Sequence, residues 1–315
     1  MVNQNINIKE EIVKQLYLAR GKIVSGIKLS KIFKISRTAI WKHISSLKKS
    51  GYEIESRSNG YILLNHDDLL LPFCFQKKFQ NKIFHFQELE TTMDKAKTLA
   101  KKNVPHLSVV IAENQTRSRG RLHRKWFSSK GGLWFTIILK PKTPPPLAYI
   151  YNFAASLSLA KSLRQLFNID VYVKWPNDLL LNKKKLTGLL SEMETRGDMV
   201  EFINIGIGIN VNNTPEQFEP KAISIKKVLK KRVSRKLILE TFLEDFENRI
   251  ESIDHKAIIK QWKKMTSTIG SEVRVETMND TFEGVAIDVD ETGTLIIKDN
   301  SGQTHKIIYG DCFHT

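Results

Sequence analysis

From Asn114 to Ile169 the chain has no aspartate or glutamate, so the basic residues in that stretch have no counter-charge among their sequence neighbours. Cysteine is scarce. Cys74 and Cys312 lie far apart and match no metal-ligand spacing, which fits a chain kept in a reducing cytoplasm. No apolar run approaches the roughly 20 residues that cross a bilayer. The opening MVNQNINIKEEIVKQ has no apolar core of the kind a secretory signal needs. The expectation is a cytoplasmic protein with no membrane partner. Gly206 and Gly208 do not extend into a dinucleotide fingerprint, because position 211 is Val. There is no nucleophile elbow and no paired Cys/His signature, so covalent catalysis by an enzyme side chain is not indicated. Internal repeats and low-complexity segments are absent as well.

What is present is positive charge. Lys and Arg number 50 against 33 Asp and Glu, a formal net charge of +17. Such a balance favours anionic partners, whether nucleic acid, nucleotide or phosphate, unless it only reflects a lysine-rich proteome.

The spacing predicts three parts, together an α+β chain. Residues 1–65 read as a winged helix-turn-helix. Ile12, Val13, Leu16 and Ala19 make a helical stripe stopped by Gly21, and Ser36 caps a helix with Ile40, Ile44 and Leu47 on one face. Asn59-Gly60 then sits between alternating strands, a hairpin signal. A linker over 66–80 leads to a mixed α/β region over 81–266, with a long helix at 149–167 and strands in VYVKW, LTGLLSEME and MVEFINIGIGINV. The last part, 267–315, alternates strands and turns, as a small β-barrel would.

Three segments invite chemistry. In the first part, Arg37, Thr38, Trp41 and Lys42 point away from the core near a helix N-terminus, with Arg57 at the hairpin tip. That is where a recognition helix and wing meet DNA, although a domain for protein contacts has the same pattern. In QTRSRGRLHRKWFSSKGG, Arg117, Arg119, Arg121 and Arg124 crowd around Gly120. They should repel one another until an anion orders them, and Trp126 could stack on a base. A solvated basic loop and an RNA-binding patch are the alternatives. KWPND ends a strand in polar groups, and Asp178 could approach a magnesium ion, though Pro-Asn-Asp is also turn chemistry. Gly188 in KKLTG suits close approach of a ligand or of another backbone.

Taken in order, the winged head, ETT at 90–92, QTRSRGRLHRKW at 115–126, KWPND at 174–178, KKLTG at 184–188, GIGIN at 206–210 and the terminal β unit resemble the bifunctional biotin–protein ligases that double as repressors. The resemblance covers nearly the whole chain. It implies that biotin and ATP, with Mg2+, form biotinyl-5′-AMP, and that biotin then passes to a lysine of a biotin carboxyl carrier protein. It also implies operator DNA as a partner and a ligand-promoted homodimer. On this likeness Thr91, Thr92, Gln115 and Gly188 would meet biotin, while Arg119 and Arg121 would line its carboxylate and the phosphate. Trp126, Asn177, Asp178 and Asn210 would meet the nucleotide, and Lys185 would be the catalytic lysine. The family usually reads GRGRxG in the loop. Here Ser118 and His123 replace the outer glycines, so loop ordering and adenylate retention are the properties the departure bears on.

Two rivals make different use of the same residues. A ligand-sensing transcription factor would leave KWPND and Lys185 without a task. A ligase for lipoate or octanoate would share the architecture, and the QTRSRGR and KWPND strings argue against it.

Overall fold

The computed structural model describes residues 8–121 and 124–314, and the chain divides into two compact units, Met1–Leu69 and Leu70–Thr315. His123 lies outside the described residues.

In the first unit, helices α1 (Ile8–Leu18), α2 (Gly26–Phe33) and α3 (Arg37–Lys49) precede a hairpin of β1 (Ile54–Arg57) and β2 (Gly60–Leu63). The Ser36 side chain accepts a hydrogen bond from the Ala39 backbone N–H, supplying the cap that starts α3. Ile12, Leu16, Leu29, Ile40 and Ile44 are buried together. The hairpin turns through Ser58 and Asn59, and Gly60 has a φ of 155°. A Cβ at Gly60 would lie 2.4 Å from the Val24 carbonyl oxygen, so only glycine lets the wing pair with that segment. Arg37, Thr38, Trp41 and Lys42 are exposed along α3, and Arg57 is exposed in the wing, ion-paired to Glu55.

The second unit opens with a short helix, α4 (Lys77–Gln80), followed by β3 (Ile83–Leu89), α5 (Thr92–Ala100), β4 (Ser108–Gln115) and β5 (Leu133–Leu139). Within 66–80, expected as a linker, Leu70, Phe75 and Phe79 are buried in this unit's core. Next come α6 (Tyr149–Phe167), β6 (Val171–Lys174), β7 (Asp178–Leu181), β8 (Lys184–Arg196) and β9 (Met199–Ile209). Helices α7 (Ile225–Leu229), α8 (Arg235–Glu251) and α9 (His255–Lys263) follow. Strands β10 (Glu272–Glu276), β11 (Thr281–Val289), β12 (Leu295–Lys298), β13 (Thr304–Ile307) and β14 (Asp311–His314) end the chain.

The main sheet runs β3-β4-β5-β9-β8-β7-β6, parallel only between β3 and β4. Its two faces are written in the period-two alternation of β5 and β9. Leu133, Phe135, Ile137 and Leu139 on β5, with Ile203, Ile205, Ile207 and Ile209 on β9, enter the large core shared with α6, α8 and α9. Helix α6 is buried on nearly all sides, as a helix apolar around its circumference must be. The opposite face carries Trp134, Thr136 and Ile138 on β5, paired with Gly208, Gly206 and Asn204 on β9. At one end of that face α5 covers Ile138 and Phe202. At the other end the side chains stop at glycine, which leaves room for a pocket.

The five C-terminal strands form one antiparallel sheet, β13-β12-β11-β10-β14, whose Val273, Val275, Ala286 and Ile297 join the large core. The barrel expected here is not closed: no pairing between the edge strands β13 and β14 is found among the described residues. A run of alternating strands specifies a sheet with one buried face, and closure depends on register and tilt that alternation does not encode. Among the described residues no helix is long and apolar enough to cross a membrane.

Candidate active site

The floor of the pocket is a pair of glycines. Gly188 on β8 is the direct partner of Gly208 on β9, and Asp178 on β7 pairs with Gly188 from the other side. The indole of Trp126 lies over this floor. A Cβ at Gly208 would meet Trp126 Nε1 at 2.7 Å, and one at Gly188 would meet its Cζ3 at 3.0 Å. Gly206 admits Met93 in the same way, at 2.7 Å from the sulfur. The ring packs edge-on against Trp134, with centroids 6.2 Å apart. Its Nε1 is buried without a hydrogen-bond partner, an uncompensated donor inside the pocket.

Lys185 reaches this floor from the start of β8. Its backbone is held on both sides by Lys221 and Ile223, and its Nζ stands 2.7 Å from Asp178 Oδ2 and 5.5 Å from the Trp126 ring centroid. Lys174 ends β6 beside the pair. Burial pushes its pKa down, against the pull of Asp178. Asn177 is buried and bridges to β8 twice, its amide donating to the Leu189 carbonyl while its own carbonyl accepts from Leu189 N–H. Asn210 is buried too, its side-chain oxygen accepting from Asn213.

The residues expected at the other end of the pocket form a connected hydrogen-bond chain. Thr92 donates both its backbone N–H (2.8 Å) and its hydroxyl (3.1 Å) to Gln115 Oε1. Thr136 donates in turn to the Thr92 hydroxyl at 2.9 Å. Thr91 caps α5, its hydroxyl oxygen accepting from Met93 N–H. Behind these groups, Glu113 lies between His85 and Arg235. Burial raises its pKa, but the hydrogen bonds and charge of His85 and Arg235 bring it to about 2.

The arginine segment departs from expectation. Its described part is a hairpin in which Arg119 bridges Lys125 and Gly120 N–H donates to the Arg124 carbonyl at 2.7 Å. Each arginine has a carboxylate from elsewhere in the chain. Arg119 takes both oxygens of Asp94 and one of Glu192, Arg124 takes Asp311 at 2.8 Å, and Arg117 takes Glu90 at 3.5 Å. Arg121 has only a 4.0 Å approach to Asp311, and burial lowers its pKa. The cluster therefore does not repel itself into disorder. Its counter-charges come from Glu90 just before α5, from Asp94 on α5, from Glu192 on β8 and from Asp311 on β14, all outside the acid-free window.

The pocket is thus lined by Thr91, Thr92, Gln115 and Gly188 at one end. Arg119, Arg121 and Trp126 line its roof, with Asn177, Asp178, Lys185 and Asn210 toward the other end. The biotin, nucleotide and catalytic candidates of this unit all line this pocket, whereas Arg117 is not among its lining residues. Strand β14 is the contribution sequence reasoning missed: Asp311, Cys312, Phe313 and His314 also line the pocket. Burial drives the Cys312 thiol up to about 11 and His314 down to about 4, so both are neutral near pH 7. The head residues Arg37, Thr38, Trp41, Lys42 and Arg57 belong to the other unit.

As for a metal, the described residues hold no group of three or more His, Cys, Asp or Glu that could bind an ion unaided. Asp178, beside Gly188, offers its carboxylate to the pocket, which suits a magnesium ion taking most of its ligands from water and a triphosphate.

Comparison with known proteins matches three family models. Residues 83–210 fit the biotin/lipoate A/B protein ligase family, residues 9–62 a helix-turn-helix domain, and residues 268–315 the biotin protein ligase C-terminal domain. The Bifunctional ligase/repressor BirA of Bacillus subtilis is 33% identical over 310 residues, covering 94% of this chain and 95% of that protein. The protein of that name from Escherichia coli is 25% identical, over 89% of this chain and 90% of its own length. Among solved structures, a biotin protein ligase from Aquifex aeolicus in complex with biotin and ATP superposes with a TM-score of 0.65 at 26% identity, covering 74% of this chain and 99% of that one.

Proposed function

This chain belongs to the biotin–protein ligase family, and on that premise we propose how its residues divide the work. It is an ATP-dependent biotin–protein ligase with a helix-turn-helix head, the form in which ligase and repressor share one polypeptide. The observation that carries the residue assignment is the Lys185–Asp178 pair on a glycine floor beneath an arginine hairpin.

In this reading the carboxylate of biotin attacks the α-phosphorus of ATP, the P–O bond to pyrophosphate breaks, and a mixed anhydride with AMP remains. Both reactants are anions, so the barrier is largely electrostatic and fixed cations lower it. Lys185 and Arg121 supply positive charge at the reacting phosphate. Arg119, already shared between Asp94 and Glu192, holds the hairpin and turns its remaining donors to the biotin carboxylate. Thr91, Thr92 and Gln115 hold the ureido ring, whose amide-like edge matches their donors and acceptors, and Gly188 leaves room for the Trp126 indole to lie against the sheet beside biotin. Trp126 walls the adenine, with Asn177 and Asn210 beside the nucleotide. Asp178 would hold the magnesium ion, which supplies charge neutralisation on the triphosphate. In the second step a lysine of the carrier protein attacks the carbonyl and AMP leaves, so no enzyme nucleophile is required. The test is transfer itself: with ATP, Mg2+ and biotin, the protein adds one biotinyl group to a carrier domain.

For the head, Arg37, Thr38, Trp41 and Lys42 on α3 face the major groove and Arg57 on the wing meets phosphate. A two-fold operator would pair with a ligand-promoted homodimer, and an unchanged sedimentation mass on loading with adenylate would rule out the coupling of ligand to dimerisation. Lys42→Ala is expected to weaken operator binding about 10-fold and to lower the salt dependence by roughly one counterion, with ligation unaltered. Loss of ligation in that variant would make the head a structural part of the enzyme.

A further inference from the structure

Ser118 stands where the ligase family usually has glycine, and it ends a hydrogen-bond chain that begins on strand β5 of the main sheet. Thr136 donates to Thr92, Thr92 to Gln115 Oε1, and Gln115 Nε2 to Ser128 Oγ at 2.9 Å. Ser128 then donates to Ser118 Oγ at 2.9 Å, and Ser118 donates to the Trp126 carbonyl at 2.7 Å. Thr136 donates, and the hydroxyls of Thr92, Ser128 and Ser118 each accept once and donate once, so the chain has a single direction and each bond polarises the next. The backbone N–H of Thr92, donating to Gln115 Oε1, fixes which end of that amide faces Ser128.

At its far end the chain closes the hairpin. Trp126 N–H donates to the Ser118 carbonyl at 3.2 Å, so residue 118 grips residue 126 through backbone and side chain together. A glycine there would keep the backbone bond, lose the hydroxyl bond and gain conformational freedom. It would also strand the Ser128 hydroxyl.

We propose that Ser118 is a positioning residue that fastens the arginine hairpin to the pocket wall, holding Trp126 and the arginines in place before ligand arrives and slowing escape of the adenylate afterwards. The substitution away from glycine therefore tightens the loop. Ser118 acts through Trp126 and Ser128 and touches no reacting atom. The inference rests on the ligase reading, because the ligand retained is its intermediate.

The experiment is a chase. Chemically made biotinyl-5′-AMP is bound to the full-length protein and its release into excess unlabelled adenylate is timed. The wild-type protein releases it slowly, Ser118→Gly about 10-fold faster, and Ser128→Ala is also faster because it cuts the same chain without freeing the backbone. Ser118→Thr, which keeps the hydroxyl, restores slow release, an outcome that general destabilisation would not give. In the empty protein, trypsin should cut the hairpin of Ser118→Gly faster than that of the wild type. Equal release rates for wild type, Ser118→Gly and Ser128→Ala would overturn the proposal. If Ser118→Gly does not fold, Ser128→Ala and Ser118→Thr decide between the same two results. Failure of the wild-type protein to bind the adenylate at all would instead strike the ligase reading, so the two failures are distinguishable.

Discussion

Lys185→Ala should lower biotinyl-adenylate formation by about 10²–10³-fold, the usual cost of removing one charged or hydrogen-bonding group aimed at a developing transition state. The geometry gives two reasons for the upper part of that range. Lys185 Nζ sits 2.7 Å from Asp178 and over Trp126, so the cation is fixed by its surroundings. Removing it also leaves the Asp178 carboxylate uncompensated on the floor that must accept a triphosphate. Lys174 is near but partly desolvated, and cannot stand in at the same place. Biotin-dependent exchange of labelled pyrophosphate into ATP measures the step directly. A variant folded by circular dichroism and within twofold of wild-type exchange would remove Lys185 from the mechanism.

Gly208→Ala should cost biotin affinity about 10- to 100-fold, the scale expected when a methyl is forced into a filled space. The new Cβ would lie 2.7 Å from Trp126 Nε1 and within 2.9 Å of two ring carbons. The indole already lies close over the β8–β9 backbone, where a Cβ at Gly188 would likewise stand only 3.0 Å from its Cζ3, so it has no side-chain-sized gap to sink into. It must therefore lift into the pocket. The fold should persist, since Ile207 and Ile209 face the opposite side of β9. Calorimetric titration with biotin reads the affinity, and tryptophan fluorescence reads the displaced ring. Unchanged affinity would mean that the glycine pair is not the floor of the biotin site.

Both predictions concern features that were legible in the sequence to different depths. The strand containing Gly206 and Gly208 could be read from its Ile/Gly alternation, because burial on one face imposes a period of two. So could the cap at Ser36, the outward face of α3 and the span of α6. Lys185, Asp178 and the loop arginines were legible as motifs. Their partners were not. Asp94, Glu192 and Asp311 neutralise arginines that lie far from them in the chain, and counting charge within a window cannot find a counter-ion delivered by another strand. Strand β14 was missed for a related reason. Its four residues are too few to alternate visibly, yet they bring Asp311 to the hairpin. Strand β7 was hidden inside a motif that also reads as a turn, where Asp178 starts the strand and pairs across to Gly188. That Trp126 rests on the glycine pair follows only once the register of β8 against β9 is known.

The central claim is that this pocket activates biotin and hands it to a protein lysine, and the mass of the acceptor tests it most directly. The full-length protein is incubated with ATP, Mg2+, biotin and a biotin-carrier domain, and the carrier is weighed by mass spectrometry. The account predicts a gain of one biotinyl group on the carrier, absent without ATP and abolished in Lys185→Ala. A carrier of unchanged mass with biotin, or a gain only when lipoate replaces it, would contradict the account.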